Sequence, residues 1–465
     1  MIIPTRYKDK RVAVLGLGRS GRSVAHSLLK ASAHVFAWDD QESARILAQA
    51  QGIPLNDLNM IDWTEIDFLV LSPGIPHRYP APHPVVARAQ TSGLRPISDI
   101  EILCTSQPQA HYIGITGTNG KSTTTTLIGH ILKESGAIVE VGGNLGIPVM
   151  ELNPLEKNGI YVLEVSSYQL EISPSLHFNI GILLNITPDH LERHGGMDGY
   201  IAAKKLIYKN TTSKDTLVIS VDDLPCLKIY ESLKTLGQTN LLPISTCKFL
   251  PEGIYVKEGI LHENSHPVLS LKDLQRLKGQ HNWQNVAAAY GALRSMGIST
   301  ETIAQGIISF PGLNHRQQVV ASYRNVMFVN DSKATNAEAT AKALACYQDS
   351  PLYCLLGGRS KEGGITNLKP YFPFIEHAIL YGEAAASFAL TLEGSVPYTI
   401  CKTLEEATKM AAELAFKHHR PGAVVLLSPA CASFDQFRDF EERGDAFCQY
   451  VKELQETSQN KSEVA

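Results

Sequence analysis

Residues 112–126 read Tyr-Ile-Gly-Ile-Thr-Gly-Thr-Asn-Gly-Lys-Ser-Thr-Thr-Thr-Thr. The first five form a short apolar run of the kind that makes a buried strand. Gly117, Gly120, Lys121 and Ser122 follow, and a helix is predicted to run on to Lys133 and stop near Gly136. Strand, glycine turn and helix start together predict a phosphate cradle. Glycines let backbone N–H groups approach phosphates, and a helix N-terminus favours an anion. Lys121 is placed to reach the terminal phosphates and the Ser122 hydroxyl to sit on Mg²⁺. The match to the strict phosphate-loop pattern is imperfect: Ile115 stands where that pattern opens with glycine, and Gly114 comes one position early. A chance Gly-Lys-Ser turn leaves the flanking strand and helix unexplained, so an ATP-using enzyme is the first expectation.

Around this loop the chain divides into three alternating segments, with boundaries expected at residues 1–105, 106–311 and 312–465. Strand patterns at 11–15, 34–38 and 68–71 mark the first. Patterns at 138–141, 160–165, 180–186 and 217–221 mark the second, and residues 235–275 look like a small antiparallel insertion. Phe310-Pro311-Gly312 reads as a hinge. Strand patterns at 326–329, 353–356, 378–381 and 424–427, alternating with helices, mark the third. Such alternation predicts α/β domains with mostly parallel sheets, the first and third Rossmann-like.

Composition narrows the partners. A chain of 465 residues is too long for one ordinary core. A net charge of −4 offers no electrostatic footprint for nucleic acid or an anionic membrane. Apolar runs such as 180–184 are strand-sized and far too short to span a bilayer. The opening MIIPTRYKDK lacks an apolar signal core, and eight scattered cysteines show no zinc spacing. Both fit an expected cytoplasmic location.

Several further motifs carry chemistry. Gly16, Gly18 and Gly21 make G-x-G-x-x-G between a strand and a helix, with Asp39 ending the next strand. That is a dinucleotide fingerprint, so a nicotinamide dehydrogenase is a rival reading, although the same turn holds any diphosphate. Glu164 ends a strand in the phosphate-loop segment, where an acid faces the ligand crevice and suits Mg²⁺. Asp189, His190 and His194 lie on a turn in NITPDHLERH. Their H-x-x-x-H spacing lacks the glutamate placement of zinc proteases, and capping by Asp189 with solvated histidines explains the fragment equally well. Tyr200, Lys204 and Tyr208 share a helical face, where a lysine is ordinarily a solvated charge. His281, Asn282 and Asn285 open an otherwise apolar helix, and caps account for only one of them. Polar loops at 330–336, 357–361 and 428–433 follow three strands and predict one wall of a crevice.

Taken in order, GLGRSG, SPGIP, TGTNGKST, GGNLG, LEVSSYQLE, NITPDHLERH, YIAAK, GQHN, NHR, NDSKATN, LLGG and LLSPACASFDQF resemble the motifs of the Mur ligase family along nearly the whole chain. The likeness is closest to the members that add D-glutamate. The resemblance implies a UDP-binding domain, an ATP-binding domain and a mobile domain for the incoming amino acid. The implied activity is ATP-dependent addition of D-glutamate to UDP-N-acetylmuramoyl-L-alanine through an acyl phosphate. A sibling ligase, or one like folylpolyglutamate synthase with another amino acid, is the alternative, and a non-enzymatic nucleotide-binding regulator is a third reading. Gly18, Arg19, Ser20, Asp39, Ser72 and Gly74 would bind the UDP part, although Gln41 stands where a basic residue often follows the acid. Asn144 and Ser166 would position the muramyl part. Gly117, Thr118, Asn119, Gly120, Lys121, Ser122, Thr123, Asn282, Asn285, Arg316 and Asp331 would bind ATP, with His281 alongside. Ser122 and Glu164 would hold one Mg²⁺. His190 would serve a second with Lys204, which the family carries as a CO₂-derived carbamate. Lys121, Glu164, His190 and Lys204 are thus the implied catalytic set. Thr335, Lys361, Ser433, Phe434 and Phe440 match the D-glutamate positions, with Lys333 near the phosphate charge. A monomer is expected.

Overall fold

A parallel strand pair needs a crossover, so nearly every apolar strand of this chain returns to its sheet through a helix. The computed structural model describes residues 1–144, 146–237, 239–360 and 363–462. The first sheet contains β1 (Arg11–Leu15), β2 (His34–Trp38), β3 (Phe68–Leu71) and β4 (Pro96–Ile97). It is parallel throughout, in the order β2-β1-β3-β4.

The second sheet is built on β5 (His111–Thr116), β6 (Val139–Gly143), β7 (Ile160–Glu164), β8 (Ile180–Leu183) and β9 (Thr216–Ser220). It continues through β10 (Asn240–Ser245), β11 (Ile254–Lys257), β12 (Ile260–Glu263) and β13 (His266–Ser270). The order is β13-β12-β11-β10-β9-β8-β5-β7-β6. Residues 235–275 therefore do not form a separate antiparallel insertion. β10 and β11 add to the sheet in parallel, and only β12 and β13 run antiparallel. The short runs there look alike in sequence; the backbone partner across the sheet decides their direction.

The third sheet contains β14 (Gln318–Tyr323), β15 (Val326–Asn330), β16 (Leu352–Gly357), β17 (Ile375–Tyr381), β18 (Tyr398–Ile400) and β19 (Ala423–Leu427). Its order is β14-β15-β19-β16-β17-β18, with only β14 antiparallel. The two edge strands escaped the sequence reading because edges are half-exposed and carry weak apolar patterns.

Chain contacts group into two units. One comprises Met1–Asp273 and Asn282–Phe310, and the other Leu274–His281 and Pro311–Ala465. In the first, a single core runs from Val12, Val14 and Leu28 of the first sheet's layer to Tyr161, Leu163 and Phe178 of the second. Ile2 N–H also donates to Met150 O at 2.8 Å. In the second unit the period of two is plain. Leu352, Cys354 and Leu356 face one core, and Tyr353 and Leu355 face the other.

The glycines of GLGRSG differ in what they permit. A Cβ on Gly21 would lie 1.8 Å from Gly16 O, so this glycine lets the helix Arg19–Lys30 seat on the turn. Around Gly18 nothing lies within 4 Å of such a Cβ. Gly21→Ala should therefore lower the thermal midpoint by the equivalent of about 1–3 kcal/mol, as overpacking does, whereas Gly18→Ala should leave the midpoint nearly unchanged. Thermal melts of the two variants beside the parent check this contrast.

Candidate active site

β5 lies between β7 and β8, so the turn that follows it opens among their carboxyl ends. Gly117 and Gly120 take φ of 156° and 87°, conformations that L side chains resist. A Cβ on Gly120 would also lie 2.2 Å from Asn285 Oδ1. The turn is held from the next strand. Thr118 N–H donates to Asn185 O at 2.9 Å, Asn119 N–H to Asn185 Oδ1 at 2.8 Å, and Asn185 Nδ2 to Asn119 O at 3.1 Å. Lys121 Nζ folds over the turn and donates to Gly117 O and Thr118 O, both at 2.9 Å. Asn285 accepts from Thr124 Oγ1 of the loop's helix at 3.3 Å and donates to Asn282 Oδ1 at 3.1 Å, so Asn282 is linked to that helix through Asn285. Thr123 lies in the first turn of that helix, Lys121–Glu134. No role for Asn185 follows from the sequence. Its signal was a polar residue just past β8, but only the sheet order shows that it faces the loop.

Glu164 ends β7 and is 3% exposed. Ser122 Oγ donates to its Oε2 at 2.6 Å and Asn144 Nδ2 to its Oε1 at 3.0 Å. Gly143 makes this possible: its φ is 108°, and a Cβ would lie 2.2 Å from Glu164 O. A buried carboxylate bonded to a hydroxyl is a hard oxygen pair, and it fits Mg²⁺. Among the described residues no three His, Cys, Asp or Glu side chains converge as a metal cage.

Lys204 is 2% exposed, not a solvated charge. Its Nζ lies 4.6 Å from the Tyr200 ring centre, and the Tyr200 hydroxyl is 3.1 Å from Thr118 Oγ1. Burial first, and then the Lys121 ammonium, push the Lys204 pKa well below the ordinary lysine value, against the opposing pull of Asp189. His190 is exposed and left-handed at φ 51°, and it occupies the N-cap position of the short helix Leu191–His194. Asp189 does not cap that helix; it pairs with His190 at 3.4 Å. Partial burial lowers the His190 pKa, with Asp189 opposing. His194 is not solvated either. It stacks on Tyr168 at 5.1 Å, lies 2.9 Å from Ser167 Oγ and 3.3 Å from Glu171 Oε2, and so has its own partners apart from His190.

The glycine turn of the first sheet borders an open cleft of ≈ 870 Å³. Gly18, Arg19, Ser20, Asp39, Ser72, Gly74 and Asn144 all line it. Asp39 also braces the turn, accepting from Leu17 N–H at 2.6 Å and Gln41 N–H at 2.8 Å. Ser166 does not line this cleft. It is the N-cap of the helix Ser167–Glu171, two residues beyond Glu164.

In the second unit, the loops after β15, β16 and β19 follow neighbouring strands of one sheet. Asp331 is buried; its Oδ2 accepts from Ser428 Oγ at 2.9 Å and its Oδ1 from Gln317 N–H at 3.1 Å. Arg443, absent from the sequence reading, is fully buried. It donates to Ser332 Oγ, Ser332 O and Cys431 O at 2.9, 2.8 and 3.1 Å, tying two of the loops together. Thr335 is half-buried, Ser433 buried and Phe434 exposed, and Lys333 Nζ lies 3.8 Å from the Phe440 ring centre. Lys361 lies outside the described residues. Arg316 and His281 belong to this unit, whereas Asn282 and Asn285 belong to the first. Burial pushes His281 down to about 4.

Burial pushes the Asp331 carboxyl up to about 7, opposed by the Ser428 and Gln317 bonds and by Arg316. The native chain then holds a proton that the unfolded chain releases at the ordinary carboxylate pKa, so this group costs stability as pH rises from about 4 to about 7. Asp331→Asn removes that slope. Between these pH values the variant should lose less stability than the parent, as denaturant melts at stepped pH will show.

Comparison with known proteins follows the same division. Residues 115–293 match the Mur ligase middle domain and residues 315–431 the Mur ligase glutamate ligase domain. The chain is 49% identical to a UDP-N-acetylmuramoylalanine--D-glutamate ligase of Paramagnetospirillum magneticum, covering 97% of this chain and 98% of that one. It is 46% identical to the enzyme of the same name from Rhodospirillum rubrum, covering 97% and 96%. Among solved structures, the UDP-N-acetylmuramate-alanine ligase of Thermotoga maritima shares the fold, with a TM-score of 0.61 over 96% of this chain and 99% of that one at 18% identity.

Proposed function

The chain belongs to the Mur ligase family, and from that premise we propose that it adds D-glutamate to UDP-N-acetylmuramoyl-L-alanine at the expense of ATP, a step of peptidoglycan precursor synthesis. One observation carries the reading. A phosphate loop whose serine is bonded to a buried strand-end glutamate shares a unit with a diphosphate-type cleft, and Asn144 both bonds that glutamate and lines the cleft. The dehydrogenase reading has no use for the first of these. Relatives of nearly full length that bear the D-glutamate ligase name support the choice of amino acid.

In this reading each sheet is the centre of one domain, with boundaries at 105/106 and 311/312. The substrate carboxylate attacks the γ-phosphorus of ATP, releasing ADP and leaving an acyl phosphate. The amine of D-glutamate then adds to the acyl carbon; phosphate leaves and the amide remains. Lys121 neutralises charge as it develops on the transferred phosphoryl group, in a loop whose backbone is already organised. Ser122 and Glu164 would hold Mg²⁺, which supplies further charge neutralisation at the phosphates. Lys204 supplies the amine for a carbamate. Burial and Lys121 favour its neutral form, and a neutral amine is the form that adds to CO₂. A carboxylate formed there would, with His190, hold a second Mg²⁺. Gly18, Arg19, Ser20, Asp39, Ser72 and Gly74 are assigned to UDP, Asn144 and Ser166 to the muramyl part, and Asn282, Asn285, Arg316 and Asp331 to ATP. Thr335, Lys361, Ser433, Phe434 and Phe440 are assigned to D-glutamate. We place the enzyme in the cytoplasm as a monomer.

Phosphate release with UDP-N-acetylmuramoyl-L-alanine and ATP should require D-glutamate, not L-glutamate, lysine or diaminopimelate. Lys121→Ala should lower kcat by at least about 100-fold. Release with another amino acid would keep the chemistry and overturn the D-glutamate assignment. For Lys204, depletion of CO₂ should lower turnover of the parent, and intact-protein mass spectrometry in bicarbonate should show one added CO₂ that Lys204→Ala lacks.

A further inference from the structure

The loop that follows β3 holds the segment bearing His190 at three points. Arg193 Nη1 donates to Gly74 O at 2.8 Å, and Gly74 lines the diphosphate-type cleft. His77 Nε2 lies 3.8 Å from Glu171 Oε2, and the same oxygen lies 3.3 Å from His194 Nδ1. Tyr79 packs on Gly195, which has a φ of 69° and where a Cβ would stand 2.9 Å from the ring. One short stretch of the first sheet's layer, residues 74–79, thus contacts residues 193–195 directly or through Glu171. In sequence the two stretches are more than a hundred residues apart.

Arg193 connects this contact to His190. Its backbone N–H donates to His190 O at 3.0 Å. Its guanidinium carbon lies 4.6 Å from the centre of the Tyr168 ring, and that ring is 5.5 Å from the His190 ring and 5.1 Å from the His194 ring. A basic residue in the last turn of a short helix is ordinary and complements the helix dipole. That role asks neither for an aromatic ring under the guanidinium nor for a carbonyl from another sheet's loop. A planar guanidinium meets both at once, lying on the ring with its flat face and donating to Gly74 O from its edge, which the point charge of a lysine cannot do. His190 needs such support. It is exposed, and its backbone is left-handed at φ 51°, a conformation that persists in a residue other than glycine only where the surroundings hold it.

The contacts run without a gap from Gly74 through Arg193 and Tyr168 to His190, and coupling between sites is carried by packed, hydrogen-bonded groups of this kind. Resting on the function read above, we propose that Arg193 is a positioning residue that couples the Gly74 loop to the His190 turn, so that the UDP-linked substrate, on filling the cleft, stiffens the turn that serves the phosphoryl step. Arg193 itself touches neither substrate nor metal in this role.

The test is hydrogen exchange of the full chain with UDP-N-acetylmuramoyl-L-alanine in the absence of ATP. In the parent the ligand should slow exchange at least about fivefold both in residues 72–79 and in residues 187–196. Arg193→Met should keep the slowing in 72–79 and lose it in 187–196. The same variant should lower kcat about tenfold or more, while its calorimetric Kd for the substrate stays within about threefold of the parent's. General structural damage would weaken that affinity as well. If Arg193→Met fails to fold, Arg193→Gln, which keeps a polar group on the partly open turn but is too short to reach Gly74, makes the same comparison. Slowing in 187–196 that persists without Arg193 would overturn the coupling, because the ligand would then act on the turn by another route. Absence of slowing there in the parent would overturn it too, and an unchanged kcat in the variant would overturn the positioning role. A parent that shows no slowing in 72–79 would instead refute the assigned cleft, and the inference with it.

Discussion

The placement of β5 between β7 and β8 is the constraint on which the site depends. Ile115 pairs with Glu164 on one side, and Thr116 with Leu183 on the other. Parallel strands in register deliver their carboxyl ends to one edge. The loop bearing Lys121 and Ser122 thereby meets Glu164 from β7 and Asn185 from beyond β8. None of these contacts is local in sequence. A slip of one residue would turn Glu164 to the opposite face of the sheet, and the Ser122 bond would be lost with it.

Two of the polar groups near that edge, Glu164 and Lys204, are buried, and burial gives them their chemistry. In water Lys204 would be an ammonium ion and Glu164 a freely hydrated carboxylate. Enclosed, Lys204 is driven toward the neutral amine, and Glu164 is held by two directed donors. Hydrogen bonds to a charged group contribute roughly 1.5–3 kcal/mol each, so the Ser122 and Asn144 bonds offset much of the penalty of burial. The second unit uses the same device with opposite charge. Arg443 is enclosed and satisfied by Ser332 and Cys431, which fastens the loops that follow β15 and β19.

Much of the fold was legible beforehand, because runs such as Val-Ala-Val-Leu at 12–15 and Ala-Val-Val-Leu-Leu at 423–427 can only be buried strands between helices. What was misread was of one kind. β10 and β11 looked like a separate insertion, and β14 and β18 were passed over, since short or half-exposed strands reveal neither partner nor direction. Among site residues, Lys204 looked like a surface lysine beside Lys205, and His194 like a solvated histidine. His194 is enclosed by Ser167, Tyr168 and Glu171 from an earlier helix, and Tyr200 packs against both it and Lys204. Asn185 opens NITPDHLERH with nothing there to show what it meets, and Arg443 lies in no motif at all.

Local order and residue type were written in the sequence alone: three rounds of strand and helix, glycines where backbone must turn or approach, and a Gly-Lys-Ser start to a helix. The ordered series of motifs also indicated the family, since a dozen short patterns in sequence leave little room for chance. Tertiary structure decided which polar residues are enclosed and which way their hydrogen bonds run. Enclosure is set by neighbours far apart in the chain, and it is enclosure that shifts the Lys204 amine. Those properties belong to the packing of several segments and to no single stretch of residues.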